Sequence, residues 1–229
     1  MAPPTSTEEA FDGSHMIHLH VGTSGSGKTF GLKEGIFADA DRGIPFLILE
    51  CREDWTGAPA RFRPAPYTDV NAAIRDLQSG ATRFAVVRPV GDPIAAWDRA
   101  CEWACRTPGP CGVACAEAHE VMPNKRIHPK WTTRAITQWR HYGIEMWIDT
   151  QRFAELWTTA VSQAVYDTKI YATVGPADLK MMQSLWGYEI VRAADECAAR
   201  LAAGQPGWYV KMGLVRRPPF QIHRDVVTG

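Results

Sequence analysis

Residues Gly22-Thr23-Ser24-Gly25-Ser26-Gly27-Lys28-Thr29 fill the pattern G-x-x-x-x-G-K-[ST] without a mismatch, directly behind the apolar run Met16-Ile17-His18-Leu19-His20-Val21. The chemistry of such a segment is local. Successive backbone N–H groups wrap the phosphates of a nucleoside triphosphate, the lysine reaches the β/γ oxygens, and the hydroxyl after it ligates Mg²⁺. Glycines at 22, 25 and 27 permit positive φ and close approach of backbone to phosphate. A helix beginning near Lys28 adds its positive end. The motif requires a strand before it and a helix after it, and the sequence supplies both. His18 and His20 alternate with Ile17, Leu19 and Val21, and residues 30–38 carry apolar side chains at helical spacing.

That opening commits the chain to mixed α/β structure, and the remainder agrees. Apolar runs alternate with helical patterns, which predicts a mostly parallel central sheet flanked by helices. Strands are expected over 17–21, 45–50, 84–87, 112–117, 144–149 and 168–174. Helices are expected from the motif to about residue 40 and over 70–77, 93–105, 131–142, 176–186 and 193–203. Residues 207–212 read as a late, antiparallel edge strand. Residues 55–66 contain three prolines and a glycine and read as an irregular surface loop. With 229 residues and 45% apolar content, one domain over 16–229 is expected. Residues 1–15 are small and polar, and Gly13-Ser14-His15-Met16 resembles the scar of a cloning site, so this stretch reads as a tag or a flexible arm.

Charge and cysteine usage narrow the function classes. Lys plus Arg equal Asp plus Glu at 25 each, so bulk charge does not make the chain a nucleic-acid polycation, and any such contact must come from a local patch. No stretch approaches the roughly 18 to 20 consecutive apolar residues that span a bilayer, and the expected location is cytoplasmic. Cysteines stand at 51, 101, 105, 111, 115 and 197. The spacing from Cys101 to Cys115 admits a zinc reading, but it is looser than ordinary zinc-binding pairs, so small buried hydrophobes are the preferred reading.

Hydrolysis of a triphosphate needs a carboxylate to align water, a polar group near the γ-phosphate, and a cation for the transition state. Ala114-Cys115-Ala116-Glu117-Ala118-His119-Glu120 looks like the Walker B segment in which an apolar strand ends in Asp-Glu-Ala-His. Glu117 then stands where a water-activating glutamate belongs; the alternative is a solvated strand-end carboxylate. Gln151, just past the 144–149 strand, can bond both γ-phosphate and water, or be an ordinary loop amide. Arg140 reads either as an arginine finger reaching a neighbouring subunit or as a cation complementing a helix C-terminus.

Taken in order, these segments resemble the HerA/FtsK superfamily of P-loop DNA translocases, including genome-packaging ATPases of internal-membrane phages and related viruses. The resemblance spans about residues 16–212. It rests on the Gly22-to-Thr29 motif, Glu50 closing the second strand, Ala116-Glu117-Ala118-His119, Arg140-His141-Tyr142-Gly143-Ile144 and Asp149-Thr150-Gln151-Arg152, with Pro176-Ala177-Asp178-Leu179-Lys180 and Trp186-Gly187 downstream. It implies a single RecA-like (ASCE) ATPase domain that uses ATP and Mg²⁺ to move double-stranded DNA, packaging a viral genome into a capsid. The implied assembly is a pentameric or hexameric homo-oligomeric ring, with capsid-vertex or membrane-associated viral proteins as partners, in the host cytoplasm or at the virion vertex. One departure stands out: the family usually has Asp before the catalytic Glu, where this chain has Ala116. That Asp steadies Mg²⁺, so Glu50 is the expected substitute, working with Thr29. Two alternatives remain, a filamentous-phage assembly ATPase of the zonula-occludens-toxin type and a nucleotide-binding assembly factor that does not hydrolyse.

The neutral total conceals a local bias. Residues 123–152 hold six basic side chains against two acidic ones. Lys125, Arg126 and Lys130 fall in a predicted loop that could face the channel of a ring and grip phosphates without reading sequence; a solvated charged face is the alternative. Of the nine tryptophans, Trp131, Trp139, Trp147 and Trp157 fall near the expected subunit edge, where aromatics serve interfaces or internal packing.

Overall fold

All five residues of the first strand, β1 (Ile17–Val21), are buried, so that strand needs cover on both faces, as in parallel sheets flanked by helices. The computed structural model has this arrangement; it describes residues 16–50, 66–124, 126–164, 167–172, 175–212 and 222–225. Residues 1–15, most of the expected 55–66 loop, Cys51 and Lys125 lie outside the described residues. After β1 come α1 (Lys28–Asp41), β2 (Phe46–Leu49), β3 (Pro66–Tyr67), α2 (Val70–Ser79), β4 (Phe84–Val87) and α3 (Pro93–Arg106). Then follow β5 (Cys111–Cys115), α4 (Lys130–Tyr142), β6 (Ile144–Thr150), a 3₁₀ turn (Phe153–Glu155), α5 (Thr158–Gln163) and β7 (Asp167–Ile170). The described chain closes with α6 (Pro176–Trp186), α7 (Tyr188–Ala202), β8 (Trp208–Met212) and β9 (Ile222–Arg224).

The strands form one sheet in the order β3-β4-β2-β5-β6-β1-β7-β8-β9, parallel as far as β7 and antiparallel beyond it. This is the α/β fold expected from the sequence. Its layers follow from the direction of each crossover. From β1 the chain passes through α1 to β2, three places to one side, whereas the steps from β3 to β4, β4 to β5, β5 to β6 and β6 to β7 all run the other way. Crossovers are right-handed, so α1 covers one face and the helices of the other steps cover the opposite face. Two cores result. Leu32, Ile36 and Phe37 of α1 pack on Phe46, Ile48, Phe84, Val86, Ala114 and Trp147. On the other face Trp97, Ile136, Trp139, Met182 and Ile190 share a core with Leu19, Leu47, Val113 and Met146. Close seating of α1 depends on Gly35, where a Cβ would lie 2.0 Å from the Trp147 ring.

Several boundaries depart from expectation. The strand expected over 112–117 ends at Cys115. Lys130, assigned to a loop, is the first residue of α4, and the helix expected over 193–203 starts at Tyr188. β8 is antiparallel but is not the edge, because β9 pairs outside it. Trp139 and Trp147 are interior, while Trp131 and Trp157 are half-buried. Cys101, Cys105, Cys111, Cys115 and Cys197 are buried free thiols, and burial pushes the pKa of Cys105 up to about 11 and that of Cys111 to about 12.

One buried ionic group pins the layer beneath α1. The His18 ring is stacked on Trp147, 3.6 Å between centroids. Its Nδ1 donates to Asp167 Oδ2 and its Nε2 to Glu145 Oε1, each at 2.5 Å. The Trp147 indole N–H donates to Asp39 Oδ2 at 2.8 Å. Ligand atoms of His18, Asp39 and Glu145 lie within 4.8 Å of one another, and both imidazole nitrogens face carboxylates in an ion-pair network. Burial lowers the His18 pKa, yet the hydrogen bonds to Asp167 and Glu145 outweigh it and the net shift is upward. Folding therefore favours the imidazolium. Its stabilisation is fully present below the unfolded-state pKa of about 6.5 and is lost as pH rises through the higher folded-state value. Urea unfolding of the wild type and His18→Gln between pH 5.5 and 9 should show the wild-type advantage shrinking as pH increases.

Candidate active site

The glycine-rich loop leaves the end of β1 and turns into α1. Gly27, at φ 99°, is the N-cap of α1 in the left-handed region, where a side chain would be strained. A Cβ there would also come within 3.1 Å of Gly207 Cα, and Gly207 N–H donates to Ser26 O at 3.0 Å. The loop is thus held from above by the turn that precedes β8. From below, fully buried His20 donates from Nδ1 to Lys28 O at 3.1 Å; burial and the nearby Lys169 charge lower its pKa to about 3, so the ring is neutral.

Lys28 is 5% exposed. Its Nζ lies 3.3 Å from Asp149 Oδ2 and 3.6 Å from Glu117 Oε1. Thr29 Oγ1 donates to the same Asp149 Oδ2 at 3.1 Å. Asp149 Oδ1 in turn accepts the Glu117 backbone N–H at 2.8 Å. Burial raises the Asp149 pKa, with Lys28 opposing the shift. The three ionic side chains and Thr29 form one connected group at the C-terminal ends of β1, β5 and β6, where open α/β sheets bind ligands.

Glu117 lies two residues beyond β5, buried, at φ 57°. A non-glycine residue held in this region costs on the order of 1 kcal/mol or more, which the surrounding contacts must offset. Its carboxylate accepts from the Gln151 side-chain amide and from Gln151 N–H at 3.2 Å. His119 Nδ1 lies 3.0 Å from Thr150 Oγ1 and 3.5 Å from Glu117 Oε2. The sequence-predicted Lys28, Thr29, Glu117 and Gln151 are therefore brought together.

Other expected site residues lie elsewhere. Glu50 follows β2, which is separated from β1 by β5 and β6, about 14 Å away at roughly 4.8 Å per strand. Its Oε2 accepts from Arg88 Nε at 2.6 Å. The described ion pair of Glu50 is thus with Arg88, whereas Thr29, in the first turn of α1, bonds Asp149. Arg140 is exposed in the last turn of α4, its guanidinium 4.8 Å from the Trp139 ring. The seven residues of β6 lie between that end and the site, a length of about 23 Å. Lys130 Nζ is 4.9 Å from the Trp131 ring, which the guanidinia of Arg106 and Arg134 also approach, at 5.0 and 5.5 Å. Arg126 is exposed beside Ile127, itself 95% exposed.

Asp149 is a residue of the Lys28 group to which the sequence motifs assign no task. The signal was an apolar strand closed by a carboxylate, the same signal that singled out Glu50 and Glu117.

Among solved structures that share this fold is the genome packaging NTPase B204 of Sulfolobus turreted icosahedral virus 2 in complex with ATP-gammaS. It aligns with a TM-score of 0.71 at 17% identity, over 93% of this chain and 99% of that one. The DNA-packaging ATPase B204 of Sulfolobus Turreted Icosahedral Virus aligns at 0.66 and 18% identity, over 92% and 98%. VirB4 of Thermoanaerobacter pseudethanolicus aligns at 0.59 and 10% identity, over 92% and 90%. The likeness is one of fold, the P-loop ATPase fold that the sequence resemblance implied. No protein-family model and no curated protein sequence matches the chain.

Removing one partner from a buried ionic group leaves the others uncompensated, at a cost of about 3 to 5 kcal/mol. Lys28→Met should therefore lower the unfolding free energy by about 3 kcal/mol at pH 7. The deficit should narrow as pH falls, because burial raises the Asp149 pKa and the opposing Lys28 charge is gone; urea titrations at pH 7 and pH 5 measure it.

Proposed function

We propose that this chain hydrolyses ATP and works as a homo-oligomeric ring that moves double-stranded DNA, packaging a viral genome. The observation that carries the reading is the Glu117 carboxylate 3.6 Å from Lys28 Nζ, at the mouth of a complete phosphate-binding loop. A fold shared with a genome packaging NTPase over nearly its whole length supports it.

In this reading the N–H groups of residues 23–29 and the end of α1 bind the phosphates, and Lys28 leaves its carboxylates for the β/γ oxygens. Glu117, released from Lys28, takes a proton from a water molecule aligned by the Gln151 amide. That water attacks the γ-phosphorus, the bond to the β–γ bridging oxygen breaks, and ADP and phosphate leave. A divalent cation, when bound, neutralises charge that develops on the transferred phosphoryl group. Arg140 is too far from the site of its own chain and serves the site of a neighbouring copy. Arg126 and Lys130, with Arg106 and Arg134 about Trp131, form the basic aromatic surface that holds DNA through its phosphates. Lys125 belongs to the same basic segment of the sequence.

Two experiments test this reading. Glu117→Gln should reduce phosphate release by at least about 100-fold while leaving nucleotide binding in place. If the wild type binds nucleotide and never releases phosphate, with or without DNA, the chain is a nucleotide-binding assembly factor instead. Arg126→Glu combined with Lys130→Glu should remove DNA stimulation of turnover and flatten the salt dependence of DNA binding, with turnover in the absence of DNA retained. Unchanged stimulation would reject the basic surface.

A further inference from the structure

The strand-end segment Ala116-Glu117 lacks the carboxylate that normally steadies a divalent cation beside a phosphate-binding loop, and Glu50, which follows β2, is paired with Arg88. We infer that Asp149 is the metal-binding carboxylate of this chain, holding the cation together with Thr29, and that it stores Lys28 until nucleotide arrives. The inference rests on the reading of the site as a nucleotide-binding one.

Register places Asp149 where the missing group is needed. β5 and β6 pair from Cys111 opposite Ile144 to Cys115 opposite Ile148. One residue further on, Ala116 comes level with Asp149. Neighbouring residues at the same level of a parallel sheet project to the same face. On its other side Asp149 pairs with His20, whose ring contacts Lys28 O on the α1 face. The carboxylate has thus moved sideways by one strand, from β5 to β6, at the same height and toward the loop. Ala116, buried and without polar atoms in its side chain, makes no claim on that space.

Distances fit the ion. Magnesium prefers octahedral oxygen ligands at about 2.0 to 2.1 Å, so two adjacent ligands stand about 3 Å apart. Thr29 Oγ1 and Asp149 Oδ2 are 3.1 Å apart. Both are hard oxygen donors, the class this ion takes.

Charge balance supplies the second argument. Among the described residues Lys28 is the cation paired with Asp149 Oδ2, and Asp149 has no exposed surface. When Lys28 turns to the phosphates, the carboxylate is left buried beside a polyanion, an arrangement costing several kcal/mol per ion. A divalent cation bound at Asp149 and Thr29 removes that penalty and screens carboxylate from phosphate. The pair Lys28–Asp149 is the resting state, and exchange of ammonium for metal accompanies nucleotide binding.

The test measures binding, not turnover. Affinity for the β,γ-methylene analogue of ATP is measured with EDTA and with saturating Mg²⁺, and Mn²⁺ affinity of the analogue complex is measured by electron paramagnetic resonance. Asp149→Asn keeps the oxygen that accepts the Glu117 N–H. It should weaken Mn²⁺ binding by at least about tenfold and strengthen metal-free analogue binding, because a negative charge beside the phosphates is gone. A merely structural role would weaken both. Glu50→Gln should change neither. Asp149→Cys should recover metal-dependent binding with Cd²⁺, which a thiolate favours, under conditions where Cd²⁺ does nothing for Asp149→Asn. Wild-type Mn²⁺ affinity in both Asp149 variants overturns the inference while leaving the nucleotide reading intact. A wild type that binds no analogue, with or without metal, overturns the nucleotide reading itself.

Discussion

A lysine ammonium sits in the interior of this molecule, held by two carboxylates that arrive from different strands. Burying such a group is unfavourable by several kcal/mol per ion unless its partners are placed well. Lys28 can be buried only because β6 is inserted between β1 and β5, which sets Asp149 and Glu117 on the same side of one loop. Glu117 is additionally held at φ 57°. None of this is how a chain would maximise stability. Stability is supplied by the two apolar cores, and the strain and charge are gathered where the sheet ends, as expected of a site organised before its ligand binds.

Much of this was legible in the sequence, for definite reasons. The loop and its flanking elements are local, and backbone chemistry at 22–29 depends on glycines whose positions are visible. Helices α2 to α4 follow from periodicity over neighbouring residues, and the central strands from short continuous apolar runs. What could not be read was anything decided by distant partners. Asp149 and Thr29 are 120 residues apart, and only the strand order brings them together. The same order sets β2, the strand before Glu50, two strands away from β6, though the strand-end position of Glu50 resembles that of Glu117. β3 and β9, two and three residues long, carry too little pattern to register, and without β9 the strand β8 had to read as an edge. The left-handed backbone of Glu117 has no signature in residue type, since the residue is not glycine.

The site divides between what one copy of the chain contains and what it does not. Loop, carboxylates and Gln151 are complete within one chain. A cation aimed at the γ-phosphate from outside is not among the described contacts, and Arg140 lies at the far end of β6 from its own loop. On the proposed reading, this separation makes turnover depend on assembly. On the same reading one chain binds nucleotide, with Lys28 exchanging partners, and the transition state takes a guanidinium from a second copy.

The antiparallel extension of the sheet bears on the same point. Ser26 O accepts from Gly207 N–H at 3.0 Å, and Gly207 O accepts from Asp225 N–H at 2.9 Å. The Asp225 carboxylate accepts from the Tyr171 hydroxyl at 2.7 Å and from Lys169 Nζ at 3.2 Å. Gly207 precedes β8 and Asp225 follows β9, so the β8–β9 pair closes over the phosphate loop at one end. With no side chain on Gly27 or Gly207, the two backbones meet directly. Any movement of the loop at Ser26 must therefore be taken up by the β8–β9 pair or cost that hydrogen bond, about 1 kcal/mol. In a protein whose proposed work is to turn a change at the phosphates into movement elsewhere, this contact gives the change a mechanical route out of the parallel core.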